Sequence, residues 1–138
     1  MIILRKLYEF DLPKEDLVMI YTLYIRSILE YNSNVWFSAI TNEEREDLER
    51  VQRVACKIIL KDDYQNYNQA LKQLQNLSDR RQMLARRFAL KCTKNERFKE
   101  LFPLNSCRNN DKYAVKFART DRLRDSAIPA MQRLLNKK

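Results

Sequence analysis

The sequence has no glycine and no histidine, and it holds three prolines and three cysteines in 138 residues. At ordinary usage about ten glycines would be expected. Without glycine there is no phosphate-cradling Walker loop, no dinucleotide fingerprint, no nucleophile elbow and no Asn-Gly hairpin. Without histidine most zinc sites, the Ser-His-Asp triad and the Cys-His pair are excluded. Cys56, Cys92 and Cys107 are odd in number and widely spaced, a pattern that suits neither a disulfide framework nor a metal clip. Cys56 and Cys92 fall in apolar-periodic stretches and read as small core residues of a reduced, intracellular chain, cytoplasmic or nuclear. The apolar start Met1-Ile2-Ile3-Leu4 gives way at once to Arg5-Lys6. It is too short for a signal peptide, and no run is long enough to span a membrane.

What is present is charge and helical periodicity. Hydrophobic residues make up 45% of the chain, enough for one ordinary domain with its own core. The net charge of +9 is unevenly placed. Residues 1–69 hold 9 Lys/Arg and 12 Asp/Glu, whereas residues 70–138 hold 18 and 6. A basic half suggests an anionic partner, with nucleic acid ahead of a membrane surface.

Apolar spacing predicts an all-α bundle of about five helices and a less regular basic tail ending in a short helix. Ile3, Leu7 and Phe10 mark the first helix. Pro13 opens the second, about 13–31, with Glu15 and Asp16 in its first turn. Leu17, Ile20, Tyr21, Tyr24, Ile28 and Tyr31 form its apolar face, and Val18, Ile25 and Leu29 widen it, which predicts a central, largely buried helix. Thr41 and Glu44 read as a capping box for a third helix over 42–60, with outer pairs Glu46–Arg50 and Glu49–Arg53. A short fourth helix falls within 64–75. The fifth, about 77–95, starts at an Asn76 cap and uses Leu77, Leu84, Phe88 and Cys92 as its apolar face. Residues 104–112 form a polar linker, and Pro129 begins a last short helix. The expected division is a bundle over 1–103 and a basic extension over 104–138, packed on the bundle or trailing it.

Two features carry candidate chemistry. Asp62-Asp63 is an adjacent carboxylate pair, but two-metal chemistry needs further ligands on a rigid core. The pair reads as solvated acids after a helix. The basic stretch is more informative. On the fifth helix, Arg80, Arg87, Lys91 and Lys94 fall on one stripe that can follow a phosphate backbone. Arg80 or Arg81 can instead pair with an acid on the third helix or cap a carbonyl, Arg81 the more so because it lies nearer the apolar face. In the tail, Lys116, Arg119 and Arg122 alternate with Tyr113 and Phe117. That composition suits stacking on single strands, although aromatics at such positions are more often core.

Read in order, a larger pattern emerges. Leu4-Arg5-Lys6-Leu7, Pro13-Lys14-Glu15-Asp16-Leu17, Tyr24-Ile25-Arg26-Ser27-Ile28-Leu29-Glu30-Tyr31 and Val35-Trp36 are followed by Leu48-Glu49-Arg50-Val51-Gln52 and Lys57-Ile58-Ile59-Leu60. Arg80-Arg81, Phe88-Ala89, Lys91-Cys92, Ser126-Ala127-Ile128-Pro129 and Leu134-Leu135-Asn136 complete the series. This order resembles the segment after the polymerase palm in jockey-like non-LTR retrotransposon reverse transcriptases, over nearly the whole chain. The resemblance implies a thumb and post-thumb region, a helical bundle that grips primer–template duplex. It implies that the catalytic carboxylates belong to a palm preceding residue 1, and that this segment is a noncatalytic fragment with no cofactor. Its expected partners are the palm and an RNA–DNA or DNA duplex backbone. The alternative is an inert remnant or a helical protein-interaction module. Family members carry glycine after the first and third helices, where this sequence has Asp11 and Lys61 or Asp62, so left-handed helix ends come into question there.

Overall fold

A computed structural model describes residues 1–70, 74–105 and 112–137. The class is all-α. In place of about five helices, the described residues form ten α-helical segments of very unequal length. They fall in two compact units, Met1–Tyr31 with Thr41–Arg80, and Asn32–Ile40 with Arg81–Lys138. That division differs from the one expected at residue 103. The reason is that the tail shares its core with the second part of the longest basic helix.

In the first unit, α1 (Ile2–Glu9) and α2 (Lys14–Ile20) are joined by a turn at Asp11. The Pro13 carbonyl accepts from the Asp16 and Leu17 amides, as suits the entry to α2. The same helical run continues as a π-helical stretch (Tyr21–Arg26) and α3 (Ser27–Leu29). Leu4, Leu17 and Tyr21 are buried against Ala55, Cys56 and Ile59 of α5 (Asn42–Leu60; α4 belongs to the second unit), with Ala70 and Leu74 closing the cluster. The expected faces of the first two helices need correction. Leu4, not Ile3 or Phe10, anchors α1, and Tyr24, Ile28 and Tyr31 are exposed. The apolar pattern runs round more of the second helix than its neighbours cover, so it is not centrally buried.

The Thr41 cap forms as read from sequence. Thr41 Oγ1 accepts from the Glu44 amide at 3.2 Å, and the Glu44 carboxylate accepts from the Thr41 amide at 2.7 Å. The Thr41 amide, and with it the Thr41 hydroxyl at 3.0 Å, donate to the ionised Glu44 carboxyl and hold it below its usual range. The expected outer pairs do not form. Arg50 meets Asp47 at 2.9 Å and Arg53 lies over the Tyr67 ring at 5.2 Å. Glu49 turns inward instead, accepting from the Tyr67 hydroxyl at 2.6 Å and from the Ser78 amide at 3.0 Å. A carboxylate on the free amides of a helix start is favourable. Beside it the fully buried Gln52 accepts from the Tyr21 hydroxyl at 2.9 Å and donates to the Tyr67 hydroxyl and the Gln75 carbonyl. This polar network joins α5 to the helical run before it, to α6 (Tyr67–Ala70) and to the approach to α7 (Leu77–Lys94).

Backbone conformation answers the missing glycines. Asp11, Asn32 and Lys61 all have positive φ, so the helix ends keep their left-handed turns without glycine. Asp and Asn tolerate this region. Lys61 does so less well, at φ 37° and ψ −101°, a strained region for any residue with a Cβ. Lys61→Gly is expected to raise stability by about 1 kcal/mol, the strain relief exceeding the entropic cost of glycine and the lost contact with the Tyr8 ring. A urea titration of both forms checks it, and an unchanged or lower midpoint would refute it.

The second unit is built on the Arg81–Lys94 part of α7. Its buried face is Arg81, Ala85, Ala89 and Cys92, packed with Phe37, Phe102, Ala130 and Met131. Leu84 and Phe88, expected on that face, lie to its sides, and Phe88 is exposed. Two alanines let neighbouring elements approach closely, and bulk comes from the partners. Arg81 is buried with its guanidinium 5.6 Å from the Trp36 ring centre. Trp36 ends α4 (Ser33–Trp36), which follows left-handed Asn32. Next come α8 (Glu96–Lys99), α9 (Asp121–Arg124) and α10 (Ala127–Asn136). Pro129 sits inside the first turn of α10 rather than at its start, where its missing N–H costs no helical bond.

The tail does not trail. Asn136 accepts from the Tyr113 amide at 2.8 Å and donates to its carbonyl at 2.9 Å. Buried Gln132 donates to the Leu101 carbonyl at 2.8 Å and accepts from the Lys116 amide. Leu104 and Tyr113 pair as a single antiparallel bridge. Cys107, named in the sequence, and most of the linker expected over 104–112 lie outside the described residues.

Cys56 and Cys92 are buried in the cores of the two units, as expected. Burial pushes the Cys56 thiol up to about 11 and raises Cys92 and the Tyr21 and Tyr67 hydroxyls as well. The native state therefore keeps protons that the unfolded chain releases. Stability conferred by these groups is complete below about pH 8.5, where an unfolded thiol titrates, and is lost as pH rises toward 11. Urea midpoints should fall across that interval, and both thiols should react with Ellman's reagent only on unfolding. A midpoint that holds to pH 11 would contradict this.

Candidate nucleic-acid interface

The two structural units divide charge nearly as the sequence halves do. By sequence, the second unit holds 16 Lys/Arg against 5 Asp/Glu, net +11, and the first holds 11 against 13, net −2. Such a field on one compact unit attracts polyanions.

On α7, the buried residues Ala85, Ala89 and Cys92 fix the orientation of the helix. At 100° per residue, Arg87, Lys91 and Lys94 then fall on the opposite side. All three are exposed and make no ion pair with a described acid. They are separated by four and three residues, so the charges climb one face turn by turn. A stripe of that kind can follow a phosphate backbone.

Arg80 shares that angular position but not that freedom. It belongs to the first unit, where its Nε lies 2.5 Å from Glu30 Oε1, an oxygen also approached by Arg26 at 3.9 Å. The Glu30 and Arg26 side chains are nearly buried and that of Arg80 is about one quarter exposed. An acid in such surroundings needs its cations, so Arg80 is committed to the fold. The structural pairing considered for Arg80 therefore forms, though with Glu30 just after α3 and not with an acid of the next long helix. The sequence gives no signal for it, since Arg26 and Glu30, four residues apart, already balance one charge against one.

In the tail, Lys116, Arg119 and Arg122 are exposed and likewise make no ion pair with a described acid. Their neighbours do. Arg124 meets Asp121 at 2.9 Å and Asp125 at 3.2 Å, and Arg133 meets Asp125 at 3.4 Å. The described acids of this segment, Asp121 and Asp125, thus meet Arg124 and Arg133. The two aromatics part company here. Tyr113 is half-buried, edge-on to Phe102 at 6.4 Å, while Phe117 is 86% exposed.

The acid pair has a structural place. Asp62 and Asp63 lie in a single 3-10 turn (Lys61–Asp63), and Asp63 is ion-paired to Lys14, which raises the lysine pKa. Among the described residues, no group of three or more acidic, cysteine or histidine side chains is placed to hold a metal ion. No helix among them is long and apolar enough to cross a membrane. No family model, no curated protein and no solved structure matches this chain.

Proposed function

We propose that the chain is the noncatalytic thumb-like part of a jockey-like non-LTR retrotransposon reverse transcriptase, and that it binds the backbone of a nucleic-acid duplex. The observation that carries the binding is the set of six exposed cations that pair with no described acid, Arg87, Lys91, Lys94, Lys116, Arg119 and Arg122, on one unit of net +11. The family assignment rests on the ordered sequence pattern. Catalysis would belong to a palm domain carrying the metal-binding carboxylates, and this chain would supply grip and position.

Backbone grip has a distinctive signature. Each phosphate neutralised releases counterions, so affinity falls on a log–log plot with a slope of roughly 0.9 per contact. A gel-shift series with an RNA–DNA duplex, from low to moderate salt, should show sequence-independent binding that falls steeply. A folded protein that binds no duplex at low salt would refute the reading.

A second reading, a helical protein-interaction module, is favoured by one observation. Met19, Leu23, Tyr24, Ile28 and Tyr31 are all more than half exposed along one helical run. Their exposure leaves apolar side chains uncovered along that run, as suits contact with a protein partner. The missing palm would be one occupant of such a face.

A further inference from the structure

We infer that Phe117, with Lys116 and Arg119, forms a stacking site for unpaired nucleotides, so that the basic unit takes single strands as well as duplex backbone. The inference rests on the nucleic-acid reading above and names a second form of the ligand.

Phe117 has the highest exposure among the large exposed hydrophobics, at 86%. A lone surface phenylalanine is unremarkable in itself. Its setting is what points to a base. Lys116 precedes it and Arg119 follows two residues on, both exposed and without ion pairs to described acids, while the nearby acids Asp121 and Asp125 are taken by Arg124 and Arg133. An aromatic residue flanked in the chain by cations that pair with no described acid suits a base on the ring with its phosphates on the side chains beside it.

The ring is also held on a fixed backbone. The Ala114 amide donates to the Pro103 carbonyl at 2.8 Å. Two residues on, the Lys116 amide donates to the buried Gln132 side chain, itself tied to the Leu101 carbonyl. Stacking on such a ring orders little that is not already ordered. Val115 and Lys116 edge a cleft of about 580 Å³ with apolar walls from Leu123, Ile128 and Pro129. That is a size in which a second base fits. A duplex cannot use this site, because its bases are stacked on one another.

Fluorescence anisotropy at low salt on the full chain tests this, with a labelled oligothymidylate and a labelled duplex of equal length. Phe117→Ala should weaken the single strand about tenfold and leave duplex affinity within about twofold. Phe117→Trp should keep single-strand affinity and show tryptophan quenching on binding. The side chain is exposed, so neither variant threatens the fold. If Phe117→Ala binds the single strand as wild type does, or weakens duplex equally, the stacking site is overturned while backbone binding stands. If the wild-type protein binds neither, both readings fall together.

Discussion

Gln52→Leu is expected to destabilise the protein by about 3 kcal/mol, roughly a 10 °C fall in melting temperature for a chain of this size. Gln52 is fully buried on α5, yet its amide is nearly saturated, holding the Tyr21 hydroxyl, the Tyr67 hydroxyl and the Gln75 carbonyl. Leucine would roughly keep the volume and remove every bond. Tyr67 would retain Glu49 and the exposed Gln75 can turn its carbonyl to water, but the fully buried Tyr21 hydroxyl would be stranded. A stranded group costs about 1–3 kcal/mol. The diagnostic partner is Tyr21→Phe. In the double variant the hydroxyl that leucine strands is gone, so about 1 kcal/mol of the loss should return. Urea titrations of the four forms give the coupling directly. A Gln52→Leu midpoint equal to wild type would show that the network contributes little.

This network also marks where sequence reading stops. Gln52 stood inside a motif, yet periodicity assigns a glutamine no inward role, and its partners come from three other segments. Local signals fared better. Thr41 and Glu44 are three residues apart, and their capping bonds need nothing beyond the first turn of α5. The span of that helix was legible for the same reason. Burial of particular faces was not. On α7 the eye goes to Leu84 and Phe88, but close packing chose Ala85 and Ala89, since small residues admit Phe37, Phe102 and Met131 from other elements. Likewise Tyr24, Ile28 and Tyr31 obey helical spacing and remain exposed, because spacing describes one helix and burial depends on its neighbours. For the candidate interface, the α7 stripe was legible from 100° geometry, apart from Arg80. Its loss follows from Glu30, distant in sequence and close in space.

Reversal of three charges, Arg87→Glu, Lys91→Glu and Lys94→Glu together, should lower duplex affinity by about 100-fold or more at low salt and reduce the salt slope by about 3. The three side chains are exposed, make no ion pair with a described acid and face away from Ala85 and Ala89. Surface changes of this kind usually move stability by no more than about 0.5 kcal/mol each. A loss of binding with an unchanged unfolding midpoint would therefore report the interface and not the fold. Arg80→Gln offers the contrast. It removes a cation from the same angular position on α7, but one held by Glu30, so it should lower stability and leave the salt slope alone. The same triple variant separates the two functional readings. Grip on a phosphate backbone depends on these charges, whereas a partner seated on Leu23, Tyr24 and Ile28 would be held by apolar side chains of the other unit. Duplex binding that survived the reversal would move the interface off α7. Binding that vanished while the fold held would place the phosphates along Arg87, Lys91 and Lys94.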